Sequence, residues 1–214
     1  MKTTDLTHLI ENNMPVYPGT EQPSIENIYT HATHGFWEHK LTLFSHIGTH
    51  VDAPAHMING AATLDKMDIS QFCGNALVID CTHKSNNDRY ICIDDLAEFE
   101  EQISSHDFLL LNTGWYKMWE SNQYFTAYPT LTPEAASWLT TFDLKGVGID
   151  TISIDQPETR DYPVHNILLE TGIILIENLN NLDNIPSTQS LFSCMPLKFV
   201  DADGSPVRAF AMHD

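Results

Sequence analysis

Residues 46–56 read HIGTHVDAPAH, three histidines and one aspartate within eleven positions, with Gly48 and Pro54 between them. His46, His50, Asp52 and His56 all stand at even positions, so one unbroken strand would place them on one face. That strand would spread the four side chains over about 13 Å, whereas ligands of one zinc ion lie ~2.0 to 2.1 Å from it. A helix would bring His46 and His50 together, but Gly48 in its interior costs about 1 kcal/mol and Pro54 would end it. The expected path is a strand ending near His46, a turn at Gly48 that folds His50 and Asp52 back, and a loop stiffened by Pro54 that presents His56. A Cβ at Gly48 is expected to strain that turn.

One isolated histidine is more simply read as a core or surface side chain bonded to the backbone. Three with an aspartate at this spacing favour a metal site. No cysteine lies in the stretch, so a closed thiolate site is not expected. Imidazole with carboxylate is the ligand set of an open, catalytic centre.

The rest of the chain can support such a site. Its 214 residues are read as one domain, 1–214, long enough to bury roughly 70% of the unfolded surface. Apolar residues form 42% and charged residues 18%, a globular balance that excludes disorder and coiled coil. A formal net charge of -19 repels phosphate backbones and anionic lipid, leaving small molecules and proteins as partners. No run approaches the ~20 apolar residues that span a bilayer, and the N-terminus lacks a signal-peptide core, so a cytoplasmic protein is expected. Cys73, Cys81, Cys92 and Cys194 form no CxxC pair and are read as reduced, mostly buried thiols.

Short apolar runs bounded by Gly, Asn, Asp or Pro predict strands at 41–45, 76–81, 108–113, 173–177 and 191–200. Helices are predicted at 132–142, with Thr132 as N-cap and Pro133 at the first position, and at 93–103. Short strands with irregularly placed helices argue for a mixed α/β domain rather than a regular βαβ series. Residues 112–133 carry many aromatics and few regular signals, which suits either a functional loop or a surface loop packed by its own side chains.

The pattern HxGTHxDxPxH resembles the signature of the cyclase-like metal-dependent hydrolases, the family that includes bacterial kynurenine formamidase. His46, Gly48, Thr49, His50, Asp52, Pro54 and His56 all match its fixed positions. The segments MPVYPGT (14–20) and DGSPVRAFAM (203–212) are similar to the family's early Pro-Gly turn and closing strand. The resemblance implies an α/β fold of the swivelling β/β/α type with a mixed sheet. It also implies a His and a Glu twelve residues apart, found here as His165 and Glu177. Glu177 ends an apolar run, where an unpaired carboxylate is costly, so the residues alone leave a ligand and an exposed strand end both open.

Carried over, the resemblance makes His46, His50 and Asp52 ligands of one metal. Asp52, His165 and Glu177 would hold a second, and His56 would stay free to move a proton. Zn²⁺, one or two per subunit, is the implied cofactor, with Mn²⁺ the alternative. Such a metal lowers the pKa of bound water from 15.7 to about 7 and polarises a carbonyl, while an imidazole with a pKa near 6.5 both takes and gives a proton. The implied reaction is amide hydrolysis of a small molecule, N-formylkynurenine to kynurenine and formate. Hydrolysis of a cyclic amide or lactone, as in isatin-hydrolase-like relatives, is the enzymatic alternative, and a non-catalytic metal-binding protein is the alternative of another class. A homo-oligomer, dimer or tetramer, is implied as well.

Tyr17 occupies the place where the family sets an aromatic against substrate, though a Tyr beside a Pro-Gly turn is as often simple packing. Trp115, Tyr116 and Trp119 are read as core or loop anchors before pocket walls. Asp150 and Asp155 lie near a predicted strand end, with capping and a site role both open. His8, His31, His34, His39, His83, His106 and His213 have no spacing that demands a function.

Overall fold

The computed structural model describes residues 1–85 and 88–214. Among the described residues thirteen strands are formed: β1 (Lys2–Asp5), β2 (Ser24–Tyr29), β3 (Glu38–Thr42), β4 (His50–Asp52), β5 (Cys73–Asp80), β6 (Tyr90–Ile91), β7 (Phe108–Asn112), β8 (Thr130–Leu131), β9 (Gly146–Ile149), β10 (Ile174–Glu177), β11 (Ser190–Ser193), β12 (Gly204–Pro206) and β13 (Phe210–His213). Nine of them make one sheet in the order β1-β13-β11-β5-β7-β9-β10-β4-β12. The centre, β5-β7-β9-β10, is parallel, and both wings are antiparallel. This is the mixed α/β architecture that the sequence implied.

Side chains alternate across the central strands, as the two-residue period of a strand requires. Leu77, Ile79, Leu109, Leu111, Val147, Ile149 and Leu175 face a core shared with helices α2 (Ile93–Leu96), α3 (Glu100–Ile103), α4 (Pro133–Leu139) and α5 (Pro163–Glu170). Ala76, Val78, Phe108, Leu110, Ile174 and Ile176 face a second core with Val51, Phe192 and Ala211 from the antiparallel wings. A sheet buried on both faces explains why these strands read as continuous apolar runs.

Several expected boundaries move. The predicted strand at 41–45 is in fact β3, residues Glu38–Thr42, and all five of its residues are exposed. It pairs with β2 in a hairpin tipped by a short helix, α1 (His31–His34), so its sequence lacks the apolar run that burial would demand. The predicted strand at 191–200 stops at Ser193, ahead of Pro196, which has no N–H for a ladder; Leu197 and Val200 beyond it are exposed. The helix predicted over 93–103 is broken by a 3₁₀ turn at Ala97–Phe99. The helix at 132–142 forms over Pro133–Leu139, with the Thr132 side chain accepting from Ala135 N–H.

Candidate metal centre

The 46–56 stretch bends as its spacing requires, though the regular part lies elsewhere than expected. His46 follows a bend well after β3 has ended, and Gly48 turns the chain with φ +59°. His50–Asp52 is itself strand β4, seated between β10 and β12. Pro54 opens a 3₁₀ turn that ends at His56. A Cβ at Gly48 would stand 3.1 Å from Met14 Cε in a left-handed conformation, so the position does demand glycine.

Sheet register then assembles the cluster. Glu177, the last residue of β10, is the direct partner of His50, and Leu175 pairs with Asp52. His50, Asp52 and Glu177 therefore share one face. His165 comes from the first turn of α5, whose start is marked by Pro163. His50 Nε2 lies 3.3 Å from Asp52 Oδ1 and 3.6 Å from Glu177 Oε2, and His165 Nε2 lies 3.3 Å from Glu177 Oε1 and 3.6 Å from Asp52 Oδ2. His46 Nδ1 approaches Asp52 Oδ1 to 2.6 Å. The five side chains meet around Asp52.

Each of these imidazoles is held by its other nitrogen. His50 Nδ1 faces the Gly48 carbonyl at 2.8 Å, His165 Nδ1 faces Asp155 Oδ2 at 2.7 Å, and His46 Nε2 faces Asp203 Oδ2 at 2.9 Å. Fixing the second nitrogen is how proteins orient metal-binding histidines. Asp155 also accepts the backbone N–H groups of Val164 and His165, capping α5 as it aims the ring. It thus caps α5 and contacts the clustered His165, the two readings that the sequence left open for it.

His56 is different. Its ring packs at a tilt of 31° on His46 with centroids 3.8 Å apart, and its Nδ1 stands 4.0 Å from Asp203 Oδ2, outside hydrogen-bond range. Burial lowers its pKa from the ordinary histidine value, a tendency only partly offset by Asp52. The shifts of His46 and His165 run the opposite way. Burial disfavours a charged His46, but Asp52 and Asp203 overcome it and raise its pKa to about 9. His165 is likewise buried yet held well above the usual range by Asp155, Glu177 and Asp52. Asp52, itself buried, is pushed well below the carboxylate range by His46 and His50.

Two carboxylates at 1% and 5% exposure need cationic compensation. Among the described residues Asp52 Oδ2 is buried without a hydrogen-bond partner. Two triads, His46–Asp52–His56 and His50–Asp52–Glu177, bring ligand atoms within 4.8 Å of one another. The donor set of imidazole and carboxylate oxygen fits a divalent ion that Asp52 could share between two positions.

The cluster opens into a cavity of about 350 Å³. Tyr17, Phe44, Ile47, Met57 and Ile152 supply much of its wall, and Tyr17 Oη lies 3.4 Å from Tyr162 Oη. Burial and that contact raise the Tyr17 pKa to about 12, so it stays a hydrogen-bond donor. Trp115, Tyr116 and Trp119 do not line this cavity. Trp115 donates its Nε1–H to the Tyr124 carbonyl, and Trp119 stacks on His8, so they anchor the 112–133 segment. That segment still reaches the centre indirectly. Tyr124 Oη donates to Asn178 Oδ1, and Asn178 Nδ2 donates to the Gly48 carbonyl that also receives His50 Nδ1.

Asp203 and Tyr162 were not singled out by the sequence. Asp203 sits inside the 203–212 segment, but nothing local ties it to a histidine 157 residues away. Tyr162 precedes Pro163 in a left-handed conformation that no pattern announces.

A curled mixed sheet with a histidine–carboxylate cluster lining a largely apolar cavity defines a hydrolase-type metal centre. The chain belongs to the putative cyclase family, whose model matches residues 4–156. It is 32% identical to the kynurenine formamidase of Geobacillus thermodenitrificans over 207 residues, 96% of this chain and 94% of that protein. Among solved structures, it is similar to isatin hydrolase A from Labrenzia aggregata bound to benzyl benzoate, with TM-score 0.90, 27% identity and coverage of 99% and 93% of the two chains. A potential metal-dependent hydrolase with cyclase activity matches with TM-score 0.83 and 30% identity over 98% of this chain and 96% of the other.

Proposed function

We propose that the protein is a metal-dependent amide hydrolase that cleaves an N-formylated aryl amine of the N-formylkynurenine type, releasing formate. One observation carries this reading: the buried Asp52, one oxygen of which accepts no hydrogen bond among the described residues, lies among His46, His50 and His165, with the His56 ring packed beside them on His46. Full-length similarity to a kynurenine formamidase supports the substrate.

His46, His50 and Asp52 would hold one divalent ion, and Asp52, His165 and Glu177 a second; Zn²⁺ is the expected ion and Mn²⁺ the alternative. When bound, the metal supplies water activation at neutral pH and polarises the carbonyl under attack. His56 begins neutral because burial disfavours its charged form. It takes the proton of the attacking water as the C–O bond forms and gives it to the nitrogen as the C–N bond breaks. Tyr17 donates to the substrate from the cavity wall, and Phe44, Ile47, Met57 and Ile152 enclose its ring.

Among the described residues no helix is long and apolar enough to cross a membrane, in keeping with a cytoplasmic enzyme. The β2–β3 hairpin exposes Ile28, Tyr29, Phe36, Trp37 and Leu41, an apolar surface suited to a second copy of the chain, which supports a homo-oligomer. The 0.90 TM-score to an isatin hydrolase favours a second substrate reading, a cyclic amide or lactone. A metal that serves only the fold fits less well, because the cluster lines an open cavity.

The test is formate release from N-formylkynurenine by protein stripped of metal and reloaded with Zn²⁺ or Mn²⁺. Metal-dependent, saturable turnover is expected. Stoichiometric metal without turnover would move the substrate to the cyclic amides, assayed next with isatin.

A further inference from the structure

Asp203 has no part in the reaction described above, yet it touches the centre. Its Oδ2 lies 2.9 Å from His46 Nε2 and accepts from Ser45 Oγ at 3.3 Å. An imidazole that offers one nitrogen to a cation must carry its proton on the other, and that proton needs an acceptor. His50 and His165 meet this requirement with Nδ1 tied down and Nε2 turned towards Asp52 and Glu177. His46 is the same device with its nitrogens exchanged: Nδ1 faces Asp52 at 2.6 Å, and Nε2 is the one held.

The backbone keeps Asp203 in place. Its carbonyl accepts Ala53 N–H at 2.9 Å, and the next residue, Gly204, pairs with Asp52 in the β12–β4 ladder. A Cβ at Gly204 would overlap the His46 ring, so the imidazole packs directly on this strand. Asp203 and Asp52 thus clasp the ring from opposite edges with a spacing set by the sheet.

We propose that Asp203 is the positioning residue of His46: it accepts the Nε2 proton, holds the tautomer whose Nδ1 faces Asp52, and so sets the affinity of the metal position that His46 serves. The proposal rests on the ligand reading of His46. At 4.0 Å from His56 Nδ1, the same oxygen is outside hydrogen-bond range of the proton-carrying histidine.

Metal-stripped wild type, Asp203→Ala, Asp203→Asn, Gly204→Ala and His46→Ala would be titrated with Co²⁺ against a chromophoric chelator, following both affinity and the visible absorption of the bound ion. Asp203→Ala should weaken one position 10- to 100-fold and shift its absorption band, leaving any other position unchanged. Asp203→Asn should recover part of the loss, because its amide oxygen still accepts the Nε2 proton. Gly204→Ala should weaken the same position by displacing the ring. Wild-type affinity and band in both Asp203 variants would overturn the proposal, as would a weaker affinity with an unshifted band, the mark of lost negative charge alone. Should Asp203→Ala fail to fold, Asp203→Asn decides, wild-type affinity and band in it overturning the proposal. His46→Ala separates the two layers: if it too binds as wild type, the ligand reading of His46 fails, and if it loses one position while Asp203→Ala does not, only the role of Asp203 fails.

Discussion

His50 and Glu177 are directly opposed partners in the antiparallel β4–β10 ladder, with Nε2 and Oε2 3.6 Å apart. Their separation is therefore set by backbone hydrogen bonding rather than by a loop. Asp52, two residues along, falls on the same face by strand alternation. Three of the five clustered groups thus sit on the most regular part of the molecule.

His50→Ala should lose both bound metal and activity, whereas His56→Ala should keep metal and lose about 10²- to 10⁴-fold in kcat, the usual worth of a general acid–base group. Elemental analysis beside formate-release kinetics checks both. Equal metal loss would recast His56 as a ligand, an outcome that its place in the His46–Asp52–His56 triad makes worth measuring.

Gly48→Ala should lower stability by about 1 to 2 kcal/mol, since an L side chain in the left-handed region costs that much before Met14 is displaced. Thermal unfolding reads the loss and metal content the knock-on effect at His50, whose Nδ1 leans on the Gly48 carbonyl. A variant with wild-type melting and full metal would show that the turn relaxes freely.

Asp155→Asn removes the charge from an acceptor of three hydrogen bonds, from Val164 N, His165 N and His165 Nδ1. It should weaken metal binding by about 10- to 100-fold and cost ~1 kcal/mol in stability as the cap of α5 weakens. Metal titration and denaturant unfolding would report the two effects separately. A stability loss with metal affinity intact would leave Asp155 a cap alone.

The centre was more legible in the sequence than the path that builds it. His46, His50, Asp52 and His56 announce themselves because their spacing excludes a straight strand and their chemistry suits a cation. His165 and Glu177 were reached through the family resemblance, since a histidine on a helix and a glutamate at a strand end carry no shared local pattern. Asp203 stayed hidden because its partner is remote in sequence and near only through the β12–β4 pairing. Among the elements, doubly buried strands such as β7 are evident as apolar runs. The short β9 has no such run and was anticipated only as a strand end near Asp150, because Gly146 and Gly148 occupy the positions where a Cβ would collide with Phe108 and Leu110.

His8 supplies a pH dependence away from the metal. Its ring is buried against Trp119 at 3.9 Å, Nε2 has no hydrogen-bond partner among the described residues, and burial lowers its pKa to about 4. In the unfolded chain it takes a proton near pH 6.5, so between there and pH 4 the unfolded state binds more protons and stability falls as pH falls. The loss should approach about 3 kcal/mol at the acid end, each pKa unit being worth ~1.4 kcal/mol. His8→Phe, which keeps a stacking ring, should flatten the acid limb in urea unfolding at pH 7 and pH 5. An unchanged limb would place the acid sensitivity elsewhere.

Phe44 stands two residues beyond the β2–β3 hairpin, half exposed, and forms part of the cavity wall. The arm and this part of the cavity wall are thus one continuous piece of chain. In the homo-oligomer proposed above, a second copy settling on the arm would bear on that wall as well, which would couple association to substrate admission. Catalytic efficiency per subunit would then change on dilution even while every group at the metal centre stays in place.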